Sequence, residues 1–221
     1  MLIAEDLLLL LTDDTTGALS KSGSETDTAL AGALLVELAI LGRVDVTGSG
    51  RLTVHDPAPT GDALLDAALA RLREREGAKP KNVLGKLAKG LRGELYDQLA
   101  GRGVLRAERR RVVGVWPVRR WPAADGAHEA TVRADLRSVL LEGRDPDERT
   151  GALVALLHAI RAVRVGVDAR QHGASRRDVA RRAKEVAEGS WGSAAVRKAV
   201  DEMTAAVTVA VVAAGVAGGS G

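Results

Sequence analysis

The residues with the most chemistry to offer are cations and indoles. Lys86, Lys89 and Arg92 recur every three residues through a segment whose leucines stand at Leu84, Leu87, Leu91, Leu95 and Leu99. Further on, VVGVWPVRRWPAA, Val112 to Ala124, brackets Arg119-Arg120 with Trp116 and Trp121 and adds two prolines. Cations so grouped bind anions, and each Lys or Arg beside an anionic leaflet gains about 1 kcal/mol. Indoles favour the same bilayer interface, where the ring sits among headgroups and the N–H stays wet. In a chain with no Phe and one Tyr, this cluster is either a core plug or a surface built to touch something. On the plug reading, Trp116 and Trp121 pack on a helix beneath them and the arginines are simply solvated.

Catalytic and metal chemistry is hard to assemble from what else is present. Without Cys there are no disulfides, thiolate sites or thiol nucleophiles, which suits a reducing compartment. His55, His128, His158 and His172 are scattered, and none has a partner at metal-ligand spacing. Gly101-Arg102-Gly103 reads as a helix stop, not a phosphate loop. No nucleophile is paired with a base. The expectation is a non-enzyme with no metal and no cofactor.

The formal net charge of +3 conceals a strong asymmetry. Residues 1 to 70 carry eleven acidic and three basic side chains, whereas residues 71 to 120 carry fifteen basic and five acidic. So basic a middle segment suggests an anionic partner, a membrane or a nucleic acid, while the acidic first third argues against uniform coating of nucleic acid. A solvated charged face is the plain alternative.

The elements that must position these side chains are mostly helices. Leu2 to Leu11 reads as a short helix or a buried strand, with a turn after it at Asp13-Asp14-Thr15-Thr16-Gly17. Asp27 can cap a helix from Thr28 to Leu41 that is apolar on nearly every face, so its one acid, Glu37, needs a partner inside the fold. Val44, Val46, Leu52 and Val54 alternate around Gly48-Ser49-Gly50 as a hairpin. Thr60 or Asp62 caps a helix to Glu76. A single helix is expected from Val83 to Ala100, with Lys86, Lys89 and Arg92 on its exposed side. Val104 to Trp116 reads as a second, basic hairpin whose far arm runs into the Trp stretch. Helices at Ala130–Leu141, Arg149–Val163, Arg176–Ala187 and Ala194–Ala214 complete the chain, and Ser190 to Ser193 reads as a flexible link.

These elements predict a mainly α, compact helical domain with central buried helices and one or two β-hairpins, spanning residues 1–217 with a flexible Gly/Ser tail at 218–221. Glu5 and Asp6 stand where a signal peptide would be basic, so the apolar start reads as part of the fold. The apolar stretch Met203 to Ala217 is shorter than the roughly 20 residues a bilayer crossing needs.

Six stretches in register resemble the Golgi phosphoprotein 3 family, in its bacterial branch. They are Glu5 to Leu11 with Asp14 and Gly17, LVELAILGR (Leu35–Arg43), PTGDALLD (Pro59–Asp66), GRGVL (Gly101–Leu105), DERTGALVALLHA (Asp147–Ala159) and EMTAAVTVAVVAA near the end. The resemblance implies a helical domain with a protruding hairpin that dips into the bilayer. In eukaryotic members a basic pocket binds phosphatidylinositol 4-phosphate, and the protein recruits Golgi glycosyltransferases to vesicle coats. Lys89 and Arg92 fall on two headgroup-binding arginines of that family, with Lys86 and Lys21 as neighbouring cations. The hairpin falls on Val113 to Ala123, which makes Trp116, Pro117, Val118, Arg119, Arg120 and Trp121 its membrane-inserting residues. The pattern is broken where Ala31 replaces a third pocket arginine and Ser22 a pocket tryptophan. The chain starts at the domain, so the basic coat-binding tail of eukaryotic relatives is expected to be missing.

Taken with the basic cluster, the resemblance implies a peripheral membrane protein, cytoplasmic and on the inner membrane face, whose partners are anionic phospholipid or a phosphoinositide. An adaptor role toward cytoplasmic tails of membrane proteins is compatible with it. The alternative is a winged-helix-like nucleic-acid binder, since helix, hairpin, basic helix and basic hairpin also describe that arrangement. Val83 to Ala100 offers mostly Lys, Gly and Leu rather than base-reading side chains, so a nucleic-acid partner is not expected.

Overall fold

Every residue of α1 (Ile3–Leu11) is buried, Glu5 and Asp6 included. The computed structural model, which describes residues 1–110, 118–189 and 191–218, settles this segment as helix rather than strand. Its acids are answered one by one. Glu5 accepts from the Leu2 amide (2.8 Å) and from Arg102, whose Nη1 lies 2.9 and 3.0 Å from its two oxygens. Asp6 meets His128 Nε2 at 2.7 Å and Arg149 Nη2 at 3.6 Å. Two arginines and a hydrogen-bonding histidine that straddle the surface thus partner carboxylates whose unpartnered burial would be very costly.

At the centre lies α2 (Gly23–Ile40), packed against α1, α4 (Lys81–Ala88), α7 (Glu148–Ala159) and α10 (Ala194–Gly218). Twelve of its eighteen residues are buried. Glu37 has the internal partners its position requires: it accepts from the Ile3 amide at 2.6 Å and pairs with Arg149. The cap differs from expectation. Ser22 Oγ accepts from the Glu25 amide at 3.2 Å, so the helix starts a turn early and Asp27 is a residue within it.

The first hairpin pairs β1 (Val44–Val46) with β2 (Leu52–Val54), Val44 opposite Val54, as the alternation suggests. Asp62 caps α3 (Ala63–Arg73), accepting from the Leu64 and Leu65 amides. The expected helix from 83 to 100 is two. Between α4 and α5 (Leu91–Gly101), Lys89 is extended and Gly90 has φ +82°, a left-handed conformation that glycine alone adopts freely. All five stripe leucines are nevertheless buried, because each half turns its own apolar face to the core.

The second hairpin also shifts. Glu108–Arg110 (β3) pairs with Val118–Arg120 (β4), Glu108 opposite Arg120, whereas the expected arm Val112 to Trp116 lies outside the described residues. Its base is stitched to the loop after α1: Ala123 N donates to Asp14 O (2.9 Å) and Arg106 N to Pro122 O (3.0 Å). Beyond it come α6 (Ala127–Leu140), α7, the short α8 (Val163–Gly166), a 3-10 turn at Ala169–His172, α9 (Arg176–Glu188) and α10. Trp191, expected in a flexible link, is buried; its indole N–H donates to Val186 O, and a Cβ on Gly151 would come within 2.5 Å of its ring. Among the described residues, no helix is long and apolar enough to cross a membrane.

Candidate functional site

The loop joining α1 to α2, the start of α5 and the end of β4 enclose a basic basin of about 540 Å³. Lys21 comes from the loop, Arg92 and Tyr96 from α5, Arg119 and Arg120 from β4, and Trp121 from the residue after it. Arg92 and Tyr96 are four residues apart on one helix and so share a face. Gly17 makes the loop's close approach possible. At φ +61° its amide face lies against the hairpin exit, and a Cβ there would stand 2.1 Å from Trp121 N.

Tyr96 and Trp121 form the wall. Their rings stack with centroids 4.9 Å apart and planes 4° from parallel, and Tyr96 Oη shares a hydrogen bond with Thr12 Oγ1 at 2.9 Å. Trp121 is only 6% exposed. The expectation that it inserts into a membrane is therefore corrected: burial in the Tyr96 stack removes its ring from solvent. Trp116 and Pro117 lie outside the described residues; of Val118, the structure gives the strand position.

The cations are unevenly compensated. Arg92 Nε lies 3.3 Å from Asp27 Oδ1, a buried oxygen with no hydrogen-bond partner among the described residues. Burial pushes the Asp27 pKa up, and the Arg92 charge pulls it partly back. Arg119 Nη1 stands 3.8 Å from Asp97 Oδ1, both largely exposed, a pairing that water leaves weak. Lys21 and Arg120 make no ion pair among the described residues. Four cations against two carboxylates leave a net positive bowl, and the guanidinium groups of Arg119 and Arg120, which both line it, offer planar forks to phosphate or carboxylate oxygens.

Lys86 and Lys89, expected beside Arg92, are not in this basin. The Gly90 break directs them to a separate groove of about 270 Å³ between α3 and α4, lined also by Arg71, Glu74 and Arg75. Of the residues singled out from sequence, the structure brings together Lys21, Arg92, Arg119, Arg120 and Trp121. Sequence reasoning missed Tyr96, although it is the one tyrosine and stands one turn after Arg92. Ser22 is spent on the α2 cap, and Ala31 is fully buried in the core. Among the described residues, no group of three His, Asp or Glu could hold a metal ion.

The loop beneath the basin also carries Asp14, which faces Glu129 of α6. Burial first, then the Asp14 charge, push the Glu129 carboxyl up to about 7 against the pull of Arg133, whose Nε donates to it at 2.7 Å.

A model of the Golgi phosphoprotein 3 family matches residues 3–203, from the first residue of α1 into α10. The chain belongs to that family. Vacuolar protein sorting-associated protein 74 of Eremothecium gossypii is 27% identical to it over 162 residues, 63% of this chain and 49% of that protein. The chain therefore spans about half the length of this relative. Every residue lining the basin falls inside the Golgi phosphoprotein 3 match.

Proposed function

We propose that the chain is a peripheral membrane protein, a binder rather than a catalyst, that holds anionic phospholipid headgroups in the basin formed by Lys21, Arg92, Arg119 and Arg120. The observation that carries this is the convergence of four cations over a stacked Tyr96–Trp121 wall, with two of the four lacking any carboxylate partner among the described residues. Each contributes about 1 kcal/mol near an anionic leaflet, so together they hold the protein reversibly and in a salt-dependent way. The family resemblance points to phosphatidylinositol 4-phosphate as the headgroup. With Ser22 and Ala31 in place of two pocket residues, charge comes instead from the hairpin arginines, which favours anionic lipid in general over that one headgroup.

Trp116 and Pro117, in the segment linking β3 to β4, are the residues proposed to enter the headgroup layer, with Arg119 and Arg120 behind them. Lys86 and Lys89 add to the positive field from the neighbouring groove. An adaptor role toward cytoplasmic tails of membrane proteins, at the inner face, is compatible with a basin-bound protein. Cosedimentation with phosphatidylcholine vesicles, alone or doped with phosphatidylserine or phosphatidylinositol 4-phosphate, tests the proposal. Recovery only with the doped vesicles supports it, and equal recovery with neutral ones refutes it.

A further inference from the structure

A second cavity is larger than the basin. It is an open groove of about 690 Å³ formed by the α7–α8 turn, α8 and the residues after it, the first turn of α9 and Ser20 of the α1–α2 loop, within the roughly 300–1,000 Å³ typical of small-molecule sites. Its floor is aliphatic, with Val167 and Val179 buried and Val163 half-buried. Its rim carries Arg161, Arg164 and Arg176, all exposed, and none makes an ion pair among the described residues.

Two of these arginines stand where local structure prefers something else. Helix α7 ends in a Schellman motif, with Ala162 N bonded to Leu157 O and Arg161 N to His158 O, which forces Arg161 to φ +53°. Glycine is the usual occupant of that position, and Arg161 is the one non-glycine residue with positive φ among the described residues. Arg176 is the first residue of α9, directly after the Ser175 cap, where the helix dipole favours an acid and disfavours a cation. Departures from local preference that converge on one cavity mark a functional site. The carboxylate at the rim, Asp168, already accepts from the Arg170 amide at 3.0 Å.

We infer that this groove binds a single-chain fatty carboxylate, its head on the Arg161, Arg164 and Arg176 guanidinium groups and its chain along the valines. Planar guanidinium forks match a carboxylate, and an aliphatic floor with a cationic rim is complementary to an anionic amphiphile. The groove shares no lining residue with the basin, although its Ser20 stands between the basin's Leu19 and Lys21, and the inference rests on the groove's own residues.

Calorimetric titration of the full chain with decanoate, below its micelle concentration, tests the inference, with decanol and inorganic phosphate as controls. Decanoate is expected to bind saturably, and each control at least tenfold more weakly. Arg161→Gly is expected to weaken decanoate roughly tenfold, the loss of one charge-assisted contact, while Tm holds or rises because glycine takes the left-handed position without strain. An Arg164→Gln, Arg176→Gln double variant should weaken it likewise. Arg119→Gln, Arg120→Gln, which removes two of the basin's four cations, should leave it unchanged. Undiminished binding in Arg161→Gly or in the Arg164/Arg176 variant, equally tight decanol or phosphate, or loss in the Arg119/Arg120 variant would overturn the inference.

Discussion

Trp121 lies flat on Tyr96, ring centroids 4.9 Å apart, with the phenol tied back to Thr12 at the end of α1. The stack joins the hairpin exit to α5 and through it to the central helices, so the arginines of β4 are held by a rigid wall. Trp121→Ala should cost about 3–5 kcal/mol, read as a fall in the denaturation midpoint, whereas Trp121→Phe should retain most of the stability. A midpoint unchanged in Trp121→Ala would mean the ring is not packed as described.

Asp27 depends on Arg92. Since burial already raises the Asp27 pKa, removing the guanidinium leaves a carboxylate with neither charge partner nor hydrogen bond at Oδ1. Arg92→Gln should therefore destabilise by about 1–3 kcal/mol near pH 7, and adding Asp27→Asn should restore much of it. Thermal melts of the single and double variants give the coupling directly.

Gly17 has no tolerated substitute. At φ +61°, with Trp121 N 2.1 Å from an added Cβ, the clash is backbone against backbone and no rotamer relieves it. Gly17→Ala should lose more than about 2 kcal/mol and detach the loop from the hairpin base. Faster amide exchange at Ala123, whose N–H donates to Asp14 O, would report that detachment.

Glu129 sets a pH slope. Its carboxyl is raised from the ordinary 4.5 to about 7 by burial and by Asp14, so the folded chain holds that proton more tightly than the unfolded one. The resulting stability is complete below about pH 4.5 and is lost as pH rises through 7. Glu129→Gln should flatten the decline in Tm between pH 5 and pH 8, and an unaltered slope would assign it elsewhere.

Much of the core was legible in the leucine stripes, because burial on one face is what a 3.6-residue period records. Leu84, Leu87, Leu91, Leu95 and Leu99 all reached the core even though the helix carrying them is broken. The break itself was not legible. Gly85 and Gly93 are helical while Gly90 between them is left-handed, so glycine alone did not mark the stop. That one dihedral parted Lys86 and Lys89 from Arg92, which linear spacing had joined. Likewise, nothing local told that Trp121 would be a plug, since its partner Tyr96 stands on another element. The family resemblance named Lys21, Arg92 and the hairpin, whereas the arrival of Arg119 and Arg120 beside them in one bowl emerged only from tertiary packing.

The sharpest test compares two charge-removing double variants on phosphatidylserine-doped vesicles. Arg119→Gln, Arg120→Gln takes two cations from the basin, and Lys86→Gln, Lys89→Gln takes two from the α3–α4 groove; Arg119, Lys86 and Lys89 are exposed and Arg120 is half-buried with no ion pair among the described residues, so both pairs should leave the melting temperature nearly unchanged. If the basin holds the headgroup, the Arg pair costs roughly 2 kcal/mol, about a 30-fold loss in partitioning, and the Lys pair clearly less. Equal losses, or a larger loss from the Lys pair, would contradict a headgroup site in the basin.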